Sequence, residues 1–419
     1  MLLPVQFDIG PLNMTGLRAY LLVMIPLTLR NIIRDKNPLR GMIDLMFLLH
    51  IFWMWVSILQ VAPESGAERA GSVSADFIGG YFIARAFIRN AQEFQAFIKT
   101  LALLIIVTLP LAMIESLTSY VTLNELFSHL PGIRPLPVID IPGRLGLDRA
   151  QAVFAHPIHY GLFCSTATAL YFVGMSQDRT RTHRIAILSL TGSACFLSLS
   201  SGAFLSLLIQ IFIIGWAWVF TQVARKWLIL AVMCCLIYAV IDIVSDRSPY
   251  RVFLSYATFS AHNAYWRSLI FDWGLQNIWA NPILGVGNNG WTRPAFMKSE
   301  SMDNFWLYIA VKYGIPAFIL LITGFLGGIF AVIYQAGTRS VETEILRKSW
   351  IICLVGISFT LATVHVWTSV FSYVFFLFGA GLWLLDSGRQ VAKTSRSPVL
   401  PSSRGLQPTF SRGQLNAAI

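Results

Sequence analysis

WLILAVMCCLIYAVIDIV, running from Trp227 to Val244, contains one charged residue, Asp242. Coiled as a helix at ~1.5 Å per residue, a stretch of this length comes close to crossing the ~30 Å hydrocarbon layer of a bilayer. A helix at a soluble surface has an apolar stripe and a polar face, whereas this one is apolar all round, so hydrocarbon is its natural surrounding. Arg225 and Lys226 precede it and Asp246 and Arg247 follow, as expected for a membrane span with charged ends.

Comparable apolar runs lie at 17–33, 42–61, 77–88, 97–117, 158–175, 185–199, 203–220, 315–334, 350–366 and 370–385. With 227–244 they predict about eleven transmembrane helices, because only helices and closed barrels satisfy every backbone polar group in lipid. The run at 77–88 is short and carries Arg85, which could snorkel to an interface. Across 419 residues, 56% are hydrophobic and 12% charged, with mean hydropathy +0.64. The fold class is therefore all-α and polytopic, with a membrane domain over 1–387 and a Ser-, Pro- and Arg-rich tail, 388–419, that reads as disordered and cytoplasmic. Cys164, Cys195, Cys234, Cys235 and Cys353 all fall in or beside spans, where they serve as small apolar fillers.

The net charge of +11 is spread over short connections instead of one basic face, which argues against nucleic acid. Arg30, Arg34, Lys36 and Arg40, then Arg179, Arg181 and Arg184, then Arg225 and Lys226, then Arg339, Arg347 and Lys348 alternate with less basic loops. Roughly twenty of the 31 Lys and Arg fall on one side, so the positive-inside bias puts the chain start outside. Residues 1–15 show neither a basic n-region nor a cleavage site, so no signal peptide is visible.

Two outer segments are long, at about 118–157 and 245–302, and both mix Pro, Gly, aromatics and charge in the manner of folded loops. Within the second, HNAYWRSLIFDWGLQNIWA (262–280) places Tyr265, Leu269 and Trp273 at helical spacing. It predicts a helix lying in the headgroup plane with Arg267 and Asp272 on its wetter side. NPILGVGNNGW (281–291) then ends that helix in a tight turn.

Arg149, Arg247, Arg251, Arg267 and Arg293 are cations on the side that the bias should leave poor in them. A planar, permanently charged fork suits phosphate, so these loops are candidates for gripping a diphosphate on a lipid. Arg149 is either such a clamp, with His156 and His159 as polar partners, or an interface anchor. Arg144 and Arg293 read as anchors. Arg267 either meets the diphosphate or stacks on Trp266, and Arg247 and Arg251 contribute field without direct contact. Asp303 either caps the following helix or orients and deprotonates a sugar hydroxyl. His262 is a further hydrogen-bonding candidate; His50 and His365 either line a cavity or bond between helices. Gly285 and Gly287 would let backbone amides approach phosphate, with Asn288 and Asn304 as additional substrate contacts. No HExxH, Asp-rich cluster or Gly-Lys-Ser loop occurs, so neither a metal nor a cofactor is implied.

Arg267, NPILGVGNNGW at 281–291, DNFWLYIAVKYGIPAF at 303–318 and Arg149 with AHPIHYG at 155–161 together resemble the O-antigen ligase and polymerase superfamily. That resemblance implies a GT-C-like inner-membrane glycosyltransferase, inverting and metal-independent, whose periplasmic Arg149 and Arg267 hold an undecaprenyl-diphosphate-linked glycan. Where the family's ligases carry His-Asn, this chain has Asp303-Asn304, which favours polymerisation of repeat units into exopolysaccharide or O-antigen. The alternatives are a ligase acting on lipid A core or another acceptor, and a transporter or flippase without covalent chemistry. Implied partners are the lipid-linked glycan, a glycan acceptor, the bilayer, and chain-length and export proteins. Members commonly have about twelve spans, and LNMTGLRAYLLVMIPL (12–27) resembles their second, so one further helix is expected ahead of Met1.

Overall fold

Each apolar run is helical over most of its length in the computed structural model, which describes residues 5–9, 12–61, 66–131, 134–135, 141–257, 261–335 and 340–386. The tail expected to be disordered lies outside the described residues. In chain order the helices are α1 (Gly16–Ile33), α2 (Pro38–Val61), α3 (Gly66–Phe87), α4 (Ala91–Thr118), α5 (Thr122–Ser128), α6 (Pro157–Ser165), α7 (Ala167–Phe172) and α8 (Arg181–Leu197). They continue as α9 (Ser201–Val219), α10 (Lys226–Val244), α11 (Pro249–Ala257), α12 (Ala261–Ala280), α13 (Phe305–Tyr334), α14 (Val341–Leu361) and α15 (Thr368–Ala380), the last prolonged by a 3-10 turn, Leu382–Leu385. Many begin at a residue whose side chain accepts a first-turn amide, among them Thr15, Asn90, Thr180, Ser200 and Ser340.

Among the described residues seven helical segments are long and apolar enough to cross a membrane, and the protein is a multi-pass membrane protein. The other runs fall short for local reasons. α8 has 17 residues, α14 opens with Glu342, Glu344, Arg347 and Lys348, and α6–α7 is broken. Gln210 of α9 bridges that break: its Nε2 donates to Ser165 O (3.0 Å) and its Oε1 accepts from Ala169 N (3.1 Å). A side chain thus supplies what the interrupted ladder lacks. α10 has mean hydropathy 2.6 and no buried residue, so most of its surface is left for lipid to cover.

The core forms where α15 packs along α3 and α2 along α13. Phe47 meets Phe77, Tyr81 and Phe375 edge-on at 5.2, 5.0 and 5.8 Å. At one end, buried Arg85 donates to Asp44 (2.9 and 2.6 Å) and to Asp35 (2.8 Å), while Arg40 pairs with Asp35 and Asp386. Arg85 is therefore a buried tie and does not snorkel, and α3 starts well before the expected 77, at Gly66. At the opposite end β1 (Val5–Ile9) pairs with β2 (Leu12–Thr15) and with β3 (Arg134–Pro135), so the start of α1 and the 118–157 loop share that end. These short strands are a minor addition to an all-α fold.

Candidate functional site

Arg149 is held by the ends of two helices. Glu115, in the last turn of α4, accepts from Gln151 N (3.0 Å) and Ala152 N (2.8 Å), and Ser116 Oγ donates to Asp148 O (2.8 Å). From the other flank Ala150 N donates to Leu197 O (2.9 Å) at the end of α8. The residues between are buried, and Arg149 emerges with Nε 3.4 Å from Ser198 O. Arg144 is positioned by a two-residue turn in which Leu145 and Gly146 take positive φ (56° and 76°), and its Nη1 donates to Leu199 O (2.8 Å). Guanidiniums at the carbonyl end of a helix are favourably placed.

α12 brings the third cation. Ile270 and Ile278 pack with Trp291, Met302, Leu307 and Val311, and Gly274 lies so close to Leu307 that a Cβ would stand 2.6 Å from its Cδ2. This packing turns Arg267 inward. It is 8% exposed, not on the wetter side as the aromatic spacing suggested, and its Nη1 is buried without a hydrogen-bond partner among the described residues. Its Nε lies 3.5 Å from Asp303 Oδ2. Asp303 does not cap α13, since Asn304 does: Asn304 Oδ1 accepts from Leu307 N (3.0 Å) and its amide donates to Tyr250 Oη (3.4 Å).

These loops converge. Burial, then Arg144, then Arg267 push the Arg149 guanidinium down to about 10, and burial and Arg267 lower Arg144 as well. His156, whose Nδ1 accepts from Ile158 N (3.1 Å) at the start of α6, is held at about 4 by burial and by Arg149. Among the described residues, three guanidiniums with Asp303 beside Arg267 form a partly desolvated positive site, which an anion would stabilise. Arg144, expected to be an anchor, belongs to this group.

Beside it lies a cavity of about 520 Å³ between α2, α3, α13 and the loop before α15. Arg18, Glu68, Arg69 and Asp76 line it together with His50, Asn288, Tyr308, Tyr313, His365 and Trp367. Arg18 pairs with Asp76 (2.9 Å), Arg69 Nη2 is 3.5 Å from Tyr308 Oη, and His50 Nδ1 is 2.8 Å from Ala317 O. The His365 ring lies 4.0 Å from that of Tyr308, and Trp367 is 4.0 Å from His159 and 5.6 Å from His156. Rings thus join the cavity to the cation cluster.

The glycine turn has a different job from the one expected. α13 is interrupted at Gly314 (φ 80°) ahead of Pro316, which frees carbonyls of the preceding turn. Val286 N donates to Val311 O (2.9 Å), Gly287 N to Lys312 O (2.8 Å), and Ile315 N to Pro282 O (2.8 Å). Gly285 N is bonded to Asn281 O (3.0 Å). Of the amides proposed for phosphate, that of Gly287 is committed to splicing a broken membrane helix and that of Gly285 to holding the turn itself. Gly285 and Gly287 take positive φ there, and a Cβ would meet Lys312 at 2.6 Å or Val61 at 2.8 Å.

The remaining expected residues stand apart. Arg251 is exposed and pairs with Asp272 (2.5 Å), and Arg247 is exposed after α10. His262 is exposed and accepts from Trp266 Nε1 (2.8 Å), and Arg293 pairs with Glu300 (3.1 Å) as a local tie. Sequence reasoning missed Arg18, Glu68, Arg69, Asp76 and Trp367; the polarity of 66–76 ahead of an apolar run was the available signal.

Residues 186–322, roughly a third of the chain, match the protein family described as O-antigen ligase. The match takes in α9 to α12, the glycine turn, Arg267 and Asp303, and leaves out Arg149 and α3. No curated protein matches the chain. The family match supports the O-antigen ligase and polymerase superfamily, a glycosyltransferase-like enzyme class whose reactions ligate or polymerise polysaccharide.

Proposed function

We propose, on the premise of that superfamily, that the protein polymerises undecaprenyl-diphosphate-linked oligosaccharide repeat units at the periplasmic face of the inner membrane. The observation that carries this reading is the cluster of Arg144, Arg149 and Arg267, whose mutual repulsion and burial call for an anion. An acceptor hydroxyl oxygen attacks the anomeric carbon of the donor sugar from the face opposite the diphosphate. The bond from that carbon to the leaving oxygen breaks, and the diphosphate departs with the electron pair. Inversion follows. Negative charge grows on the leaving oxygens, and fixed guanidiniums stabilise it without reorganising. Asp303, 39% exposed and 3.5 Å from Arg267, takes or orients the proton of the attacking hydroxyl.

Purified protein supplied with lipid-linked repeat units alone tests the proposal. A ladder of polymer lengths that disappears in Arg149→Ala and Arg267→Ala is the expected result, and an undiminished ladder from both variants would remove the mechanism. Ligation is the second reading, favoured by the description of the matched family. It predicts no ladder and a single transfer onto an added lipid A core.

A further inference from the structure

We infer that the 520 Å³ cavity between α2, α3 and α13 is the acceptor subsite and takes an uncharged saccharide, an assignment that rests on the transferase reading above. Charge separates the two concave regions. The cluster brings the guanidiniums of Arg144, Arg149 and Arg267 within reach of one another's charge, with Asp303 paired to Arg267, and is positive among the described residues. In the cavity, Arg18 and Arg69 face Asp76 and Glu68, and Arg18 is already neutralised by Asp76 at 2.9 Å. Two cations against two carboxylates leave no net charge to attract a diphosphate. They do leave alternating donors and acceptors, which match the hydroxyls of a sugar.

The apolar part of the lining fits the same ligand. Trp367, Tyr308 and Tyr313 present rings to the cavity, and aromatic faces stack on the C–H faces of a pyranose while carboxylate and guanidinium groups reach its edges. Asn288, which the glycine turn carries to the rim, and Ser72 add neutral polar contacts. A half-buried histidine adds a separate observation: His365 lines the cavity, and its Nδ1 is buried without a hydrogen-bond partner among the described residues. The position suits an acceptor. Trp367 packs 4.0 Å from His159 and 5.6 Å from His156, and His156 senses Arg149, so a saccharide stacked on Trp367 ends beside the anion cluster. Phe305 of the cavity wall follows Asp303 and Asn304 directly in the chain.

The test uses the full chain in lipid nanodiscs with two probes: free oligosaccharide released by mild acid from the host's lipid-linked repeat units, and undecaprenyl diphosphate without sugar. Trp367→Ala, which removes the stacking platform, and Ser72→Trp, which fills the cavity, should each weaken oligosaccharide binding by about tenfold or more. Both should hold undecaprenyl diphosphate within about twofold of the parent. Arg267→Ala should show the reverse pattern. Ser72→Trp decides alone if Trp367→Ala does not fold. Absence of oligosaccharide binding to the parent, unchanged binding in Ser72→Trp, or an equal loss in Arg267→Ala would overturn the assignment. Oligosaccharide binding that depends on the cavity, in a protein that ignores undecaprenyl diphosphate, would instead sink the donor reading and leave the subsite standing.

Discussion

Replacing Arg267 separates a catalytic cation from a structural one, because the two roles predict opposite effects on stability. The side chain is 8% exposed, its Nη1 has no partner among the described residues, and it lowers the affinity of Arg149 and Arg144 for their protons. In the absence of ligand it adds repulsion, so Arg267→Ala should unfold at the same temperature as the parent or higher. In the transition state it would meet growing negative charge, and loss of one such preorganised donor costs ~3 kcal/mol, a hundredfold or more in rate. The ligand shift gives a second measure. Undecaprenyl diphosphate at a hundred times its Kd stabilises the parent by about 2.7 kcal/mol, and if Arg267→Ala weakens binding a hundredfold, the same concentration gives about 0.4 kcal/mol. Arg267→Lys should recover little, since an ammonium is a point charge where the site holds a fork. Thermal unfolding with and without the lipid, beside polymer formation from defined repeat units, reads both quantities. A variant with parental rate and parental ligand shift would refute the reasoning, and a lost rate accompanied by a lower ligand-free midpoint would mark Arg267 as structural.

Other outcomes follow from the same geometry. His156 is held at about 4 against an ordinary 6.5 by burial and Arg149, so the ligand-free protein should lose stability as pH falls from about 6.5 towards 4, where the unfolded chain binds the extra proton. A bound diphosphate raises that value, so binding should take up a proton and tighten at lower pH; calorimetry in buffers of different ionisation enthalpy measures the uptake, and none would argue against contact near His156. Gly314→Ala places a Cβ 2.1 Å from Ile283 O at φ 80°, and a cost of more than ~2 kcal/mol should appear as lower membrane abundance and midpoint. Asn304→Ala removes the cap of α13 and should cost ~1 kcal/mol, with Asn304→Ser retaining most of it, whereas Asp303→Asn should leave the midpoint alone and slow the chemistry. An Asp303→Asn enzyme with unchanged rate would free Asp303 of the proton-transfer role.

The helices were legible because lipid demands unbroken apolarity, and α10 shows the rule at its strictest, with no residue buried. α3 escaped for the opposite reason. Glu68, Arg69 and Asp76 depress the hydropathy of its first half, yet they line a cavity, where Asp76 pairs with Arg18 of α1. Arg149 and Arg267 stood out as cations on the side with few, but their convergence depends on Glu115 and Gly274, which carry no signal of contact across the chain. The glycine turn misled because a Gly-rich segment reads equally as a phosphate cradle or as a close backbone approach. Only the break at Gly314 and Pro316 decides between them, by leaving Val311 and Lys312 carbonyls for the turn to satisfy.

Sidedness can be argued from where the charges end up. The loop between α1 and α2 and the ends of α3 and α15 meet at Asp35, Arg40, Arg85 and Asp386, the end to which Arg30, Arg34 and Lys36 also belong. The cation cluster lies at the other end with the β1–β3 hairpin sheet and the 118–157 loop. Since the positive-inside bias counts short basic loops, the former end should be cytoplasmic and the cluster periplasmic. Leu145 is 81% exposed beside Arg144, and Gln177 is exposed on the connection between α7 and α8. Cys164, Cys195 and Cys353 are buried, while Cys234 and Cys235 sit on the lipid-facing α10, so none should react with a membrane-impermeant maleimide. Leu145→Cys should therefore label in cells whose inner membrane is intact, and Gln177→Cys only after that membrane is opened. The reverse pattern would put the guanidiniums in the cytosol, away from a periplasmic donor, and the polymerisation proposal would fall with them.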